Sequence, residues 1–258
     1  MPLPQPNADF NSLALALSKD LPHDNKAPVS GPALRKWQQK QRARLREVVK
    51  AKDYAVRQAS VAAREERAGL RATDWRLRIA DTWTLAATEL VSGQPQGVTL
   101  VIADGGRRSA TNQVARLLAA GQRVVVLDPF GARPSAPAGR EHLWALLLSA
   151  VGDRPLGLQA SQMADMARWL RAERPGEPGV TLCALGPRSS ALALVTGALE
   201  EQTIARLDLH DCFPSLKAVI EQNRTFEQMP ELFCFGLLAA FDVEELSALG
   251  PGPGVELK

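Results

Sequence analysis

Three loops in this 258-residue chain place glycine beside side chains able to hold or attack a polar group. In the first, Asp104-Gly105-Gly106-Arg107-Arg108, the glycine pair lets backbone N–H groups turn toward an anion or a developing oxyanion. The second is Asp128-Pro129-Phe130-Gly131-Ala132-Arg133, and the third is Gly186-Pro187-Arg188-Ser189-Ser190. Arg188, next to a helix start, suits a carboxylate or a phosphate. Its preferred use is a salt bridge to Asp104, Asp128 or Asp211 that plugs the cleft between the loops. Arg107, Arg108 and Arg133 add positive charge to the same edge. Gly105, Gly106, Gly186 and Arg188 are therefore the candidate ligand-binding residues. Ser189 and Ser190 could serve as nucleophiles, but they fall in the first turn of the following helix, where serine commonly caps, and capping is favoured.

A nucleophile needs a base. Of the three histidines, His23 sits in the N-terminal lead-in and His142 opens a helix. His210 follows a strand and precedes Asp211, and an Asp-His pair could orient an imidazole. Capping of the next segment is the plainer role for that pair. Cys212 could supply a thiolate beside His210, although neighbours in sequence rarely face each other usefully. Cys183 and Cys234 lie in apolar runs and read as core. No CxxC or Cys/His spacing suggests zinc, so neither a metal nor a cofactor is expected.

These loops need a framework. Residues 1–32 are rich in Pro, Asn, Asp and Ser and read as an extended lead-in with one helical turn near Asn11–Lys19. Pro32 starts an amphipathic helix over Ala33–Lys52. Tyr54–Ala63, Leu70–Ile79 and Trp83–Leu90 alternate apolar and polar residues, which predicts three antiparallel strands. From Val98 on, buried strands at Val98–Ala103, Arg123–Asp128, Val180–Leu185 and Ile204–Leu209 alternate with helical segments. That order predicts a mostly parallel sheet with helices on both faces. The three loops fall at the carboxyl ends of its strands, where open sheets bind ligands. Residues 33–249 form the folded unit, and 250–258 are a Gly/Pro tail.

Composition bounds the partners. Hydrophobic residues make up 45% of the chain and charged residues 23%, enough for a core without disulfides. Thirty-one basic and 28 acidic residues leave a net charge of +3. Between Arg35 and Arg78, fourteen Lys/Arg face five Asp/Glu. Without interleaved aromatic residues to stack bases, this reads as a solvated face and not a nucleic-acid surface. No apolar run is long enough to span a membrane and no signal peptide is evident, so the chain as written is expected in the cytoplasm.

Longer stretches resemble a known superfamily. TWTLAATELVSGQPQGVTLVIADGG, LLAAGQRVVVLDPFG and LFCFGLLAAFDVEELSAL are similar to the α/β-hydrolases of the dienelactone-hydrolase and acetyl-xylan-esterase branch. LREVVKAKDY, VGDRPLG and PELFCFGLL resemble the second, degenerate hydrolase-like half of long bacterial acetyl-xylan-esterase-like proteins. The resemblance implies a three-layer α/β-hydrolase-like sandwich and a lineage of carboxylic ester hydrolases. It also implies a G-x-S-x-G elbow, but here the residues are Ala184-Leu185-Gly186-Pro187-Arg188. Glycine stands at the nucleophile position, and a shift of two residues puts Arg188 there. The family's acid and histidine follow later strands, and the chain ends at Lys258, so the sheet is expected to be truncated after Ile204–Leu209.

The reading favoured by these departures is a non-catalytic hydrolase-like domain with a structural or binding role beside an active esterase domain. The alternatives are a carbohydrate esterase using Ser189 or Ser190 with His210, and a small-anion binder at the elbow. Truncation would leave an open strand edge with Phe233, Phe235 and Leu237 exposed, which predicts a homo-oligomer or a companion domain.

Overall fold

Strong period-2 alternation sets the architecture. The computed structural model describes residues 9–22, 26–131, 140–174, 176, 179–251 and 255–257. His23 and Arg133 lie outside the described residues. Strands β1 (Val56–Arg67), β2 (Leu70–Ile79) and β3 (Trp83–Ser92) form an antiparallel meander. β4 (Gly97–Ala103), β5 (Gln122–Leu127), β6 (Val180–Leu185) and β7 (Ile204–His210) run parallel to one another. With β8 (Val255–Leu257), the sheet order is β1-β2-β3-β5-β4-β6-β7-β8, and β3 is antiparallel to β5.

The last strand, β8 (Val255–Leu257), corrects the truncation expectation. It pairs in parallel with β7, placing Val255 beside Leu207 and Glu256 beside Asp208. Its three residues pair with the Leu207–Leu209 part of the β7 edge. The apolar side chains expected there also differ. Leu237 is buried, Phe233 is half-buried against Phe226, and only Phe235 is well exposed.

Helices pack on both faces. The larger layer holds α2 (Gly31–Val49), α5 (Pro155–Glu173), α6 (Pro187–Leu199) and α9 (Val243–Leu249), whose apolar sides meet Leu100, Ile102, Leu182, Leu207 and Leu209. On the opposite face, α3 (Thr111–Ala119) covers Val101, Val124, Val126 and Cys183. Successive residues of each central strand thus enter different cores, the pattern of a sheet buried on both sides. Shorter helices α7 (Ala218–Glu221) and α8 (Leu237–Ala240) complete the C-terminal region.

Part of the basic run is structural. From α2, Arg42 donates to the carbonyls of Ala198 at 3.1 Å and Leu249 at 2.8 Å, closing the C-termini of α6 and α9. Arg123 and Glu89 form a buried pair across β5 and β3, and the Trp75 indole N–H donates to the same carboxylate at 2.8 Å. Two helices remain apolar on their exposed sides. They are α1 (Phe10–Ser18), with Phe10, Leu13 and Leu17, and α4 (Glu141–Ala150), with Leu143, Trp144, Leu146 and Leu147. Among the described residues, no helix is long and apolar enough to cross a membrane.

The tightest crossing is at Gly157 of α5. A Cβ there would sit 1.6 Å from the carbonyl oxygen of Val49 at the end of α2. Since backbone cannot rotate away, Gly157→Ala should cost about 3 kcal/mol or more in urea unfolding. A loss below about 1 kcal/mol would show that the two helices do not meet in this way.

Candidate functional site

The elbow is built on Gly186. The chain leaves β6, passes through Gly186 at φ 103°, and enters α6 at Pro187. Only glycine adopts that conformation without strain. A second constraint acts at the same residue. A Cβ on Gly186 would lie 2.5 Å from the carboxyl carbon of Asp104, at the end of β4. The space in which a nucleophile's side chain would begin is filled by a carboxylate.

Asp104 is held there by the start of α6. Its Oδ2 accepts the Arg188 backbone N–H at 3.1 Å, and its Oδ1 accepts that of Ser189 at 2.7 Å. These are the unpaired N–H groups of a helix N-terminus, where negative charge is stabilised by the helix dipole. The donors that could have bound an external anion are taken by the protein's own side chain.

Arg188 is engaged too, although not by the carboxylates expected. Its guanidinium forms a two-pronged pair with Glu231, through Nε to Oε1 and through Nη2 to Oε2 at 2.9 Å. Glu231 is buried, in the one-turn 3-10 helix Pro230–Leu232. The expected partners fail for a geometric reason. Asp104 is turned onto the helix N-terminus, and Asp128 accepts from the Arg107 backbone at 2.9 Å and from its Nε at 2.8 Å. Asp211 sits exposed, in the left-handed region at φ 58°. Asp104, Pro129, Gly131, Arg188, Ser189 and Glu231 enclose a cavity of about 30 Å³. That is room for a water molecule or two.

The serines are inward. Ser190 is fully buried and donates from Oγ to the backbone carbonyl of His210 at 3.1 Å. Ser189 is also buried. The His210 imidazole points away from both. Leu207 of β7 packs against Gly197 of α6, so the alternating residues Asp208 and His210 face the α3 side of the sheet. His210 accordingly pairs with Asp208, at 3.2 Å from Nε2 to Oδ1, and not with the adjacent Asp211. Burial pushes the Cys212 thiol up to about 11, away from the thiolate form.

The glycine loop after β4 faces elsewhere. The Gly106 N–H is spent on the Ala103 carbonyl at 2.9 Å. Gly105 and Gly106, with Arg107 and Arg108, border an open hollow of about 850 Å³ on the outer face of β2 and β3. Arg107 at its rim is tied inward to Asp128 and to Thr88. Sequence reasoning missed Glu231 and Asp208. Glu231 lies 43 residues from Arg188 with no local pattern, whereas Asp208 was recoverable from its period-2 relation to His210.

No protein-family profile matches this chain, and no curated protein matches it by sequence. Solved structures do. A Bacteroides fragilis protein provisionally assigned as an acetyl xylan esterase superposes over 100% of this chain and 77% of its own, with a TM-score of 0.74 at 14% identity. A methylesterase matches 96% of this chain and 54% of its own, with a TM-score of 0.60 at 12% identity. Acetyl xylan esterase 1 of Thermoanaerobacterium sp. matches 90% of this chain and 79% of its own, at 0.54 and 15%. The chain has an α/β-hydrolase-like fold of the kind found in acetyl xylan esterases.

Proposed function

We propose that this chain is a non-catalytic hydrolase-fold domain that supports a partner instead of cleaving an ester. The reading is carried by one observation: the Asp104 carboxylate occupies the elbow where a serine would stand, hydrogen-bonded to the helix that would present it. The Arg188–Glu231 pair closes the space above it, far below the several hundred Å³ of an ordinary ligand site. The esterase alternative asks Ser189 or Ser190 to act without His210, whose imidazole faces the other side of the sheet. An anion site at the elbow asks for donors that Asp104 already takes.

The supporting role is favoured by the apolar faces of α1 and α4. Phe10, Leu17 and Leu147 are 93%, 71% and 60% exposed, and an apolar helix face left in water is a common mark of an interaction surface. These helices replace the strand edge as the basis for association, either with a second copy or with a companion esterase domain. Sedimentation should show self-association that Leu143→Glu/Leu147→Glu abolishes, or binding to an acetyl-xylan-esterase domain that the same pair abolishes. A monomer indifferent to both would remove this role.

Catalysis is tested with a fluorophosphonate probe and a short-chain nitrophenyl ester. No adduct should form, and Ser189→Ala/Ser190→Ala should leave any background hydrolysis unchanged. An adduct mapped to either serine would overturn the reading.

The filled elbow makes a thermodynamic prediction as well. Gly186→Ser should destabilise the chain by about 3 kcal/mol, from left-handed backbone strain and the clash with Asp104. Asp104→Ala should cost about 1–2 kcal/mol through the lost cap. Because removing Asp104 relieves the clash, the double variant should fall short of the sum by at least about 1 kcal/mol in denaturant titrations. Strict additivity would mean that the two groups are not in contact.

A further inference from the structure

On the face of the sheet away from the elbow, three groups with metal-binding chemistry converge. Cys183 lies on β6, and its register partner on β7 is Asp208. His210, two residues on, points to the same side. The Cys183 Sγ, an Asp208 carboxylate oxygen and a His210 ring nitrogen all lie within 4.8 Å of one another. We propose that these three residues bind a divalent transition metal of borderline softness, with zinc as the natural candidate.

The ligand set argues for that ion. Tetrahedral zinc takes sulfur at about 2.3 Å and nitrogen or oxygen at about 2.0–2.2 Å. Those bonds place ligand atoms roughly 3.3–3.8 Å apart. His210 Nε2 and Asp208 Oδ1 are already 3.2 Å apart, and the Cys183 sulfur lies within 4.8 Å of the ligand atoms of both residues. Thiolate disfavours magnesium and calcium, whereas imidazole and carboxylate suit zinc. Two paired strands supply all three groups, so little ordering is required on binding.

The surroundings fit as well. Cys183 and Asp208 are buried, while His210 is half-buried at the carboxyl edge of β7 and marks the route in. His210 Nε2 is sealed from solvent. It makes no hydrogen bond of good geometry among the described residues, although it faces the Asp208 carboxylate. A lone pair directed into the cluster answers that placement. On binding, the Cys183 thiol releases its proton to solvent, and His210 binds through Nε2 with its remaining proton on Nδ1. Gln113 of α3 reaches Cys183 Sγ at 3.8 Å, which leaves its amide oxygen, or a water, to fill the fourth position. The ion would clamp β6 to β7 directly behind the elbow, independently of whether the elbow is catalytic.

Cobalt(II) tests this with a spectroscopic signature. The full chain, stripped with chelator, should develop a thiolate-to-cobalt charge-transfer band that saturates at one ion per chain and is bleached by zinc. The band should persist in Cys212→Ser/Cys234→Ser and disappear in Cys183→Ser. Loss of an outer-shell partner alone costs a metal site about 10–100-fold in affinity, so His210→Ala should weaken binding at least tenfold. Its half-exposed position makes it the variant that burdens folding least, and its affinity decides the matter if Cys183→Ser does not fold. The proposal is overturned by a folded wild type that gives no band, by a band that survives in Cys183→Ser, or by His210→Ala binding as tightly as wild type. A purely hydrogen-bonded trio would produce the first of these results.

Discussion

The Asp104 carboxylate caps α6 from a neighbouring strand, and this contact sets the terms for everything around the elbow. Asp104 lies in the turn that follows β4 and could have faced solvent. Instead it crosses to the N–H groups of Arg188 and Ser189. The first turn of α6 thereby gains acceptors that its sequence does not supply, since no side chain of its own caps it. The contact is a charged hydrogen bond at a helix N-terminus, among the better uses of a carboxylate. Its consequence is steric. With the carboxylate in place, residue 186 can carry no side chain, and the backbone there is free to take the left-handed conformation that glycine alone tolerates cheaply.

The Arg188–Glu231 pair extends the same logic outward. A carboxylate as buried as Glu231 is unfavourable unless it meets a well-aligned cation, and a planar guanidinium gripping both oxygens is the best such match. Removing either partner would strand the other charge. The pair therefore holds the loop containing Glu231 against the elbow as firmly as it fills the cavity. The interactions that hold the loop are therefore also the ones that fill the space above Gly186.

The sequence carried the outline of this arrangement further than its details. Alternation in Leu70–Ile79 and Trp83–Leu90, and mostly apolar runs in Val98–Ala103 and Val180–Leu185, placed the central strands because burial on one or both faces leaves that mark directly on the residues. The elbow's missing hydroxyl was equally plain. The partners of Arg188 and His210 were not, because side-chain pairing depends on direction as much as on nearness in the chain. Asp211 adjoins His210 in sequence yet sits at a turn with its backbone reversed, whereas Asp208 shares the imidazole's face. β8 was obscured for another reason. Val255–Leu257 is too short to show a period and becomes a strand only because β7 offers it an edge.

That same alternation explains why the histidine at the end of β7 cannot drift back to serve the serines. Leu207 and Leu209 point into the core beneath α6, and Asp208 and His210 point the other way. Bringing the imidazole to the α6 side would require a one-residue slip of β7, which exchanges the two sets. The slip would drive a carboxylate into a core lined by Leu182, Leu194 and Leu246, and would expel two leucines from it. Each displaced leucine costs about 1.5–3 kcal/mol, before the penalty for a buried unpaired charge is counted. A change of that size rivals the whole stability of a typical domain. The separation of the Ser189 and Ser190 hydroxyls from the His210 imidazole is therefore a property of the core.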